Sequence, residues 1–555
     1  KKVREYNIKH PVVNDANGVI WNNFGVRSWP TLVLIGPDGA VVLGREGESS
    51  FEFLDRIVGD LAHQAKAAGE LDETPVQFFS ESERTHKGGL LYPGKITADK
   101  AGNRLFITDT GNNRLVVTDL GGKFREAIGS GVEGFGDGGF DKATFNRPQG
   151  TCLVGETLYV ADTENHAIRS VELNARTVKT VAGNGKQAAF GANVVNGTRG
   201  SLSSPWDIVP LPNSRALMIA MAGPHQIWRF DPDSGDAKLW AGSGQEDIQD
   251  GETVNAAFAQ PSGLATDGTH LFVADSEGSA VRSIDLSARP PRVHTLVGTH
   301  DLPRGASLFA FGDSDGKGDS ARQQHCLGVA FGAGRLFVAD TYNNKIKVID
   351  VADRSIKTLA GSPKPGASDN PPLFDEPGGL SVGGDKLYVA DTNNHAIRVI
   401  DLDNNAVRTL ATESIPAPTT KAPLNFKDAT VIDSAPAEVA PGKSFTLALE
   451  IPLPKDYELN AEAPMTYLVE VPDSASSLGP ENPKNGGRIE KPATTVNIPV
   501  PLAAAPKPGD TLRLRVSLRA MVCLPNTLCA VKNFVWNVPV TFTAGAPDRV
   551  TLKVK

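Results

Sequence analysis

The chain has 555 residues, of which 40% are hydrophobic and 22% charged, an ordinary balance for a folded soluble protein. The formal net charge of −8 disfavours nucleic acid as the main partner, because phosphate binding needs a basic surface. No apolar run approaches the roughly 18 residues of a membrane-spanning helix, so the sequence predicts no transmembrane segment. The length indicates roughly three domains, since most domains hold about 100–200 residues.

Residues 1–72 predict a small α/β unit, which a linker over 73–85 follows. A Gly-Pro-Asp-Gly turn joins two of its strands, and its last helix is amphipathic because apolar residues recur there at helical spacing. The predicted elements in chain order are a short strand (10–15), a helix (19–24), two strands (26–35 and 40–43) and the closing helix (51–68).

This order resembles the second half of thioredoxin-like domains, in which a Trp-Pro-Thr step carries a cis-proline. Trp29, Pro30 and Thr31 match that step. In that family the cis-proline loop packs beside a Cys-x-x-Cys motif at a helix start. This sequence has no such motif and no first strand and helix, so we expect an incomplete domain, either truncated or cleaved, that cannot exchange dithiols alone. The alternative is a module that serves only for docking.

The dominant signal is a segment that recurs six times at intervals of about 51–65 residues, which is typical of propeller blades. Each copy has an apolar run, a polar turn and a second alternating run, a pattern that predicts two antiparallel strands. A Pro-Gly entry precedes most copies and a short strand follows, so each unit has four strands. The six copies are 105–120, 158–173, 217–232, 271–286, 336–351 and 387–402.

Four-stranded units that repeat radially form a β-propeller, so we expect a mainly β chain with six blades over 86–414. The repeats resemble the NHL family, whose core reads Asp-Thr-x-Asn-His/Asn-x-Ile-Arg. Residues 162–169 and 391–398 match this core well. The third copy departs from it at Met221 and Pro224, and the fourth has Gly-Ser in place of Asn-His.

The repeated Asp, Asn and His residues could suggest a metal site. Because they recur in nearly every blade, we predict that they stabilise turns, and that Arg169, Arg282 and Arg398 brace the hairpins. A metal-dependent hydrolase or lyase would need ligands that converge on the channel, whereas His166 and His395 lie in repeat turns. The sequence therefore indicates no catalytic set, no metal and no cofactor.

Three Gly/Asp-rich insertions between blades are candidate binding loops, since loops on a rigid scaffold often carry function. The third, 312–319, has the oxygen density of a calcium loop but lacks the full EF-hand spacing, so we expect ordinary connections. The candidate binding residues in these rim loops are Asp137, Asp250, Asp313, Asp315 and Asp319.

A Pro-rich linker over 415–426 predicts an extended spacer. Beyond it, alternating strands at 444–451, 511–518 and 535–542 predict a β-sandwich over 427–555.

Cys523 and Cys529 lie in the predicted turn between the last two of these strands. A tight hairpin could bring the two sulfurs near bonding distance. The pair resembles the strand-borne cysteines of the N-terminal domain of the thiol:disulfide interchange family, over the hairpin and its flanking strands only. Two interpretations stay open. The two cysteines are either a redox-active pair, or a pair of free or permanently bonded cysteines that stabilises the hairpin. Two cysteines without a nearby histidine are too few for structural zinc.

The order of thioredoxin-like unit, NHL propeller and C-terminal β-domain resembles the NHL-repeat-containing protein 2 family. The resemblance implies a soluble protein with a thioredoxin-like domain packed against the propeller. We expect a scaffold in which the propeller and this domain form a groove for a protein or peptide partner, and this binding could be redox-linked. The alternative is a thiol–disulfide oxidoreductase that uses an upstream cysteine pair, with Cys523 and Cys529 as a second pair. Few cysteines favour a cytoplasmic location, and the periplasm is the alternative.

Overall fold

A computed structural model gives the structure, and residues 84–421 form one compact unit while 3–83 and 422–555 belong to a second. None of the described helices combines the length and the apolar character that a membrane crossing requires. The described residues are 12–13, 15, 18–28, 30–37, 39–47, 49–69, 71, 89–189, 191–211, 214–412, 414–418, 429–451, 453, 457–459, 465–471, 478, 487–489, 491–523 and 529–552.

The N-terminal segment contains a helix, a β-hairpin and a second helix, as the sequence predicts. The hairpin turns where the Gly39 N–H donates to the Gly36 carbonyl at 2.9 Å. The second helix starts where the Ser50 hydroxyl accepts the Phe53 N–H and ends at Gly69, whose φ of 72° suits glycine. The elements are α1 (Val19–Asn23), β1 (Thr31–Ile35), β2 (Val41–Glu46) and α2 (Phe51–Ala68).

The strand predicted over 10–15 is not found at its described residues, which are Val12, Val13 and Asp15. The Asp15 carboxylate accepts the Trp21 N–H at 2.7 Å, so this segment caps α1. Helix starts need such acceptors because their first N–H groups have no partner within the helix.

Six antiparallel sheets follow in chain order, each from one continuous stretch of chain. Blade 1 is β3 (Ile96–Asp99), β4 (Arg104–Asp109), β5 (Arg114–Thr118) and β6 (Phe124–Ile128); blade 2 is β7 (Gly138–Gly139), β8 (Pro148–Val154), β9 (Thr157–Asp162), β10 (Ala167–Glu172) and β11 (Thr177–Ala182); blade 3 is β12 (Val194–Asn196), β13 (Pro205–Pro210), β14 (Leu217–Met221), β15 (Gln226–Phe230) and β16 (Asp236–Ala241).

Blade 4 is β17 (Gly251–Glu252), β18 (Pro261–Thr266), β19 (His270–Asp275), β20 (Ala280–Asp285) and β21 (Arg292–Val297); blade 5 is β22 (Gly316–Lys317), β23 (Gly328–Gly332), β24 (Arg335–Asp340), β25 (Lys345–Asp350) and β26 (Ser355–Gly361); blade 6 is β27 (Pro377–Gly383), β28 (Lys386–Asp391), β29 (Ala396–Asp401) and β30 (Val407–Thr409). The predicted hairpins correspond to β4–β5, β9–β10, β14–β15, β19–β20, β24–β25 and β28–β29.

The six sheets close into a ring. Their innermost strands, β3, β8, β13, β18, β23 and β27, contact one another in this order, and β27 contacts β3. A separate apolar cluster fills each of the six interfaces between blades. The cluster between blades 6 and 1 includes Leu105 and Tyr388, so the same burial that joins consecutive blades also joins the first to the last. The six-bladed propeller is therefore confirmed.

Blades 2 to 5 each have a fifth strand that the sequence did not predict. The insertion entering the blade runs along its outermost strand, as where Gly138 pairs with Val178 and Gly251 pairs with Val293. Gly138 and Gly251 adopt φ values of 146° and 148°, a conformation that favours glycine. Strands of two residues carry no alternating pattern, which is why the sequence analysis counted four strands.

The C-terminal residues form two sheets around one apolar core, which confirms the β-sandwich. Leu447 and Ile498 from the smaller sheet pack with Val516 and Trp536 from the larger one. The larger sheet has β31 (Thr430–Asp433), β32 (Ala437–Val439), β34 (Glu458–Leu459), β35 (Met465–Glu470), β36 (Gly487–Ile489), β38 (Thr511–Cys523) and β39 (Cys529–Phe542), and the smaller has β33 (Ser444–Glu450), β37 (Thr495–Pro501) and β40 (Arg549–Leu552).

Candidate functional site

Five blades share a buried ion pair within the hairpin. An aspartate at the end of the first hairpin strand (β4, β9, β19, β24 or β28) pairs with a cation on the second hairpin strand (β5, β10, β20, β25 or β29). In blade 2, Asp162 Oδ2 lies 2.6 Å from Arg169 Nη1, and Asp162 Oδ1 accepts the Asn146 N–H at 2.8 Å. Burial raises the pKa of Asp162 to about 6, while Arg169 and its hydrogen-bond donors oppose the rise, so the carboxylate is ionised at neutral pH. The equivalent pairs are Asp275–Arg282, Asp340–Lys347 and Asp391–Arg398, whereas in blade 1 Asp109 pairs with Arg114, the first residue of β5.

Blade 3 replaces this ion pair by an apolar pair. Met221 and Trp228 occupy the positions of the aspartate and the arginine, and both are buried. Trp228 Nε1 donates to Gln226 Oε1 at 2.9 Å, which satisfies its only polar atom. The departure that the sequence predicts in the third copy is therefore a change in core chemistry within the same fold.

The residue after each of these turns joins its blade to the next one. His166 Nδ1 accepts the Ser204 N–H, and His395 Nδ1 accepts the Tyr92 N–H, each at 3.0 Å. The histidines therefore link blades, a longer-range role than the turn stabilisation that we predicted. The six acceptors are Asn113, His166, His225, Ser279, Asn344 and His395, and their six backbone donors are Arg147, Ser204, Gln260, His325, Glu376 and Tyr92.

The rim-loop aspartates of blades 2, 4 and 5 bind groups of their own blade. Asp137 accepts from Arg169 Nη2 at 2.9 Å and from the Thr180 N–H at 3.0 Å. Asp250 bridges Arg282 and Thr295, Asp315 bridges Lys347 and Thr358, and Asp369 of blade 6 bridges Arg398 and Thr409 in the same way.

Asp369 was not among the residues predicted from the sequence, although the threonine that recurs in the last strand of these blades indicates such a partner. These contacts already occupy the carboxylates of Asp137, Asp250 and Asp315. That these three residues also contact a partner stays a prediction.

The other two candidate rim aspartates face cationic side chains. Asp313 lies 2.6 Å from Lys345 Nζ and 3.4 Å from Lys347 Nζ. Asp319 lies 3.3 Å from Arg354 Nη2. These cations neutralise the oxygens that a calcium ion would need, so the donor set does not favour the calcium alternative for 312–319.

His300 joins the rim loops of blades 4 and 5. Its Nδ1 lies 2.9 Å from Asp301 and 3.8 Å from Asp250, and its Nε2 lies 3.3 Å from Asp319. Burial lowers the pKa of His300, but the Asp301 hydrogen bond and the three carboxylate charges outweigh it, and the pKa rises. The ligand atoms of Asp250, His300 and Asp301 lie within 4.8 Å of one another. Because Asp250 already binds Arg282 and Thr295, we interpret this cluster as a contact that links the two loops.

The innermost strands line a cavity of about 550 Å³ in the central channel. Lys95 lines this cavity and is 5% exposed. Its amine donates to the Ser262 carbonyl at 2.7 Å and to the Leu327 carbonyl, and it lies 3.4 Å from Asp207 Oδ2. Burial lowers the pKa of Lys95, while Asp207 opposes the shift. With all three donors used, Lys95 ties blade 1 to blades 3, 4 and 5.

The innermost strand of each blade begins at the end of the propeller where the hairpin turns lie. We call this end the turn face. Two positions per blade differ on this face, while the hydrogen-bonded framework beneath them recurs. One is the third residue of the turn when counting starts at the aspartate position, namely Gly111, Glu164, Gly223, Glu277, Tyr342 and Asn393; the other is the residue that donates to the preceding blade, namely Tyr92, Arg147, Ser204, Gln260, His325 and Glu376.

In blades 4 and 5, three of these differing residues, Glu277, His325 and Tyr342, contact one another and form an aromatic and acidic group. His325 Nε2 lies 3.0 Å from Glu277 Oε2. The His325 ring stacks on Tyr342 with centroids 4.5 Å apart, and Tyr342 is 45% exposed. Sequence reasoning missed this group because it compared what the repeats share, whereas the signal lies where they differ.

The cysteine pair of the C-terminal domain lies at strand ends. The hairpin register places Cys523 directly opposite Cys529, whereas the sequence placed both in the turn. The five residues between them lie outside the described residues. Cys152 and Cys326 are buried free thiols, and burial raises the pKa of both, which keeps them unreactive.

Of the predicted cis-proline loop, Trp29 lies outside the described residues. The Pro30 carbonyl accepts the Gly47 N–H at 2.8 Å. Thr31 begins β1, and its hydroxyl donates to the Ser28 carbonyl at 2.6 Å. The role of this loop stays a prediction.

These blades and their framework define a propeller built from NHL-type repeats, and the NHL repeat model matches residues 145–169 and 374–400. The chain is 36% identical to NHL repeat-containing protein 2 of Bos taurus, over 98% of this chain and 80% of that protein. It is 40% identical to the Homo sapiens protein of the same name, over 74% of this chain and 60% of that protein.

Protein SUPPRESSOR OF QUENCHING 1, chloroplastic, of Arabidopsis thaliana is 36% identical, over 97% of this chain and 52% of that protein. The chain therefore belongs to the NHL repeat-containing protein 2 family. NHL repeat proteins are typically protein-interaction scaffolds.

Proposed function

We propose that this protein is a scaffold whose propeller holds a protein or peptide partner on the turn face. One observation carries the proposal: all six blades keep the hydrogen bond to the next blade and five keep the buried ion pair, while two positions per blade change above this framework. A surface whose side chains vary over a rigid support is what specific recognition requires. We retain the thioredoxin-like interpretation of residues 1–72 as part of the proposal, on the order α1, β1, β2, α2 and on Pro30.

The chemistry of the described propeller residues supports binding over catalysis. The buried aspartates that precede the hairpin turns are paired with arginine or lysine, and His166 and His395 accept backbone N–H groups. The amine of Lys95 has three acceptors. A general base or nucleophile needs an atom free to meet substrate, and these groups are committed to the framework.

Site-specific photo-crosslinking tests the scaffold proposal. A photoreactive amino acid at Glu164 lies on the turn face, and one at Ala101 lies in the exposed turn between β3 and β4 on the opposite face. In lysate of the source organism, we expect discrete adducts from position 164 that excess unlabelled protein suppresses, and few from position 101. Equal labelling from both positions, or labelling that competitor leaves unchanged, would contradict the proposal.

The register of Cys523 opposite Cys529 favours a second candidate, in which the two form a disulfide. A thiol–disulfide oxidoreductase would require this pair or an upstream one to exchange with substrate. We expect mass spectrometry of the non-reduced protein to find a peptide in which Cys523 and Cys529 are linked, and insulin reduction to fall when both are changed to serine. Free thiols at both positions in oxidised buffer would exclude the disulfide.

A further inference from the structure

We infer that Tyr342 and Glu277 form a receptor for an arginine side chain of a partner polypeptide. The inference rests on the proposed scaffold function and gives it a chemistry. It concerns one corner of the turn face, formed by the third turn residues of blades 4 and 5.

The geometry provides an exposed aromatic ring, the platform, that stacks on a histidine, and a carboxylate contacts that histidine. Tyr342 is 45% exposed, although a tyrosine in this turn could have been buried. Its ring is held from below by the stacked His325 ring at 4.5 Å, and His325 is held by Glu277 at 3.0 Å. Phe311 lies on another side of His325, with centroids 6.2 Å apart. The platform is therefore fixed before any ligand arrives.

Carboxylates lie near the platform. Among the described residues, Glu277 pairs with His325 and with no lysine or arginine. Burial raises the pKa of Tyr342 to about 12, and the negative charges of Glu376 and Glu277 add to that rise. The corner therefore attracts a cation.

An arginine fits this corner better than a lysine does. A guanidinium is planar, stacks on an aromatic face and donates two parallel hydrogen bonds to a carboxylate. An ammonium is a compact and strongly hydrated charge that gains less from a flat ring. Cation–π contact with the ring and charge-assisted contact with Glu277 would act on the same side chain.

A merely structural role for Tyr342 predicts different behaviour. If the ring only shields His325, its removal changes stability but not the affinity for cations. Tyr342→Phe keeps the platform and Tyr342→Leu removes it at similar volume. Glu277→Gln removes the charge and keeps a hydrogen-bonding group for His325. Glu164→Gln is the matched control, since Glu164 occupies the same turn position in blade 2.

The probe is the peptide acetyl-Ala-Arg-Ala-amide, compared with its lysine and citrulline analogues and titrated against the full chain by NMR. We expect the arginine peptide to bind more tightly than the lysine peptide, and the neutral citrulline peptide more weakly than both. Tyr342→Leu and Glu277→Gln should each weaken the arginine peptide roughly three- to tenfold, while Tyr342→Phe and Glu164→Gln should not.

Equal binding of the citrulline peptide, tighter binding of the lysine peptide, or an unchanged affinity in Tyr342→Leu would overturn the inference. These outcomes are separable from the scaffold test. Crosslinks at position 164 with no arginine binding would refute only this site. Arginine binding without any specific crosslink would uphold the site and refute the scaffold.

Discussion

Replacing Lys95 by alanine is expected to lower the free energy of unfolding of the propeller by about 3–5 kcal/mol, the usual cost of removing one partner from a buried ion pair. Asp207 would keep its charge and the N–H groups of Leu264 and Ile208, but would lose its only cation among the described residues. The carbonyls of Ser262 and Leu327 would also lose their donor. Hydrogen exchange of peptides from β13, β18 and β23, with mass spectrometry, measures the loss where it arises.

Two further variants separate charge pairing from packing at this position. Lys95→Met fills the space with an apolar chain, and adding Asp207→Asn removes the carboxylate charge that Lys95 neutralises. The double variant should be more stable than Lys95→Met alone, since buried ion pairs are replaceable but half-pairs are not. Lys100→Ala, at an exposed lysine of the same cavity, should change stability by less than about 0.5 kcal/mol. Equal stability of the wild type and Lys95→Ala would contradict this role.

The sequence was enough to predict the blades because their information is local. Alternation in 158–173 or 387–402 sets the faces of each hairpin, and a polar turn sets its register. Lys95 could not be predicted in this way. It precedes the first hairpin, and its partners Asp207, Ser262 and Leu327 lie 112, 167 and 232 residues away. Only the closed ring brings them together.

The candidate site residues show the same contrast between what the repeated sequence predicts and what the folded structure adds. Repetition correctly assigned Arg169, Arg282 and Arg398 to the framework, because one aligned column has one role. It also drew attention to Asp137 and Asp250 for their place in loops, whereas the structure gives each a partner in the exit strand of its blade. The residues of the proposed binding surface differ between blades. An alignment of the repeats, which identifies the residues that the blades share, does not identify them.

Placing an aspartate at Met221 is expected to destabilise the propeller by about 3–5 kcal/mol, because the carboxylate would be buried without a cation. In the other five blades the aspartate pairs with an arginine or a lysine, but here it would lie in the apolar cluster that contains Trp228. The volume-conserving Met221→Leu should cost less than about 1.5 kcal/mol and serves as the control. The midpoint of thermal unfolding and hydrogen exchange of β14 and β15 report the loss.

Adding Trp228→Arg to Met221→Asp tests whether the ion pair itself is portable between blades. The arginine would stand in the register that Arg169 has in blade 2, so the double variant should recover part of the loss, with a coupling of about 0.5–3 kcal/mol. Recovery should remain incomplete, because Arg169 also has Asp137 and two backbone carbonyls as acceptors. Additive losses in the double variant would mean that blade 3 has diverged beyond the pair, and that its apolar core is now part of how this blade packs against blades 2 and 4.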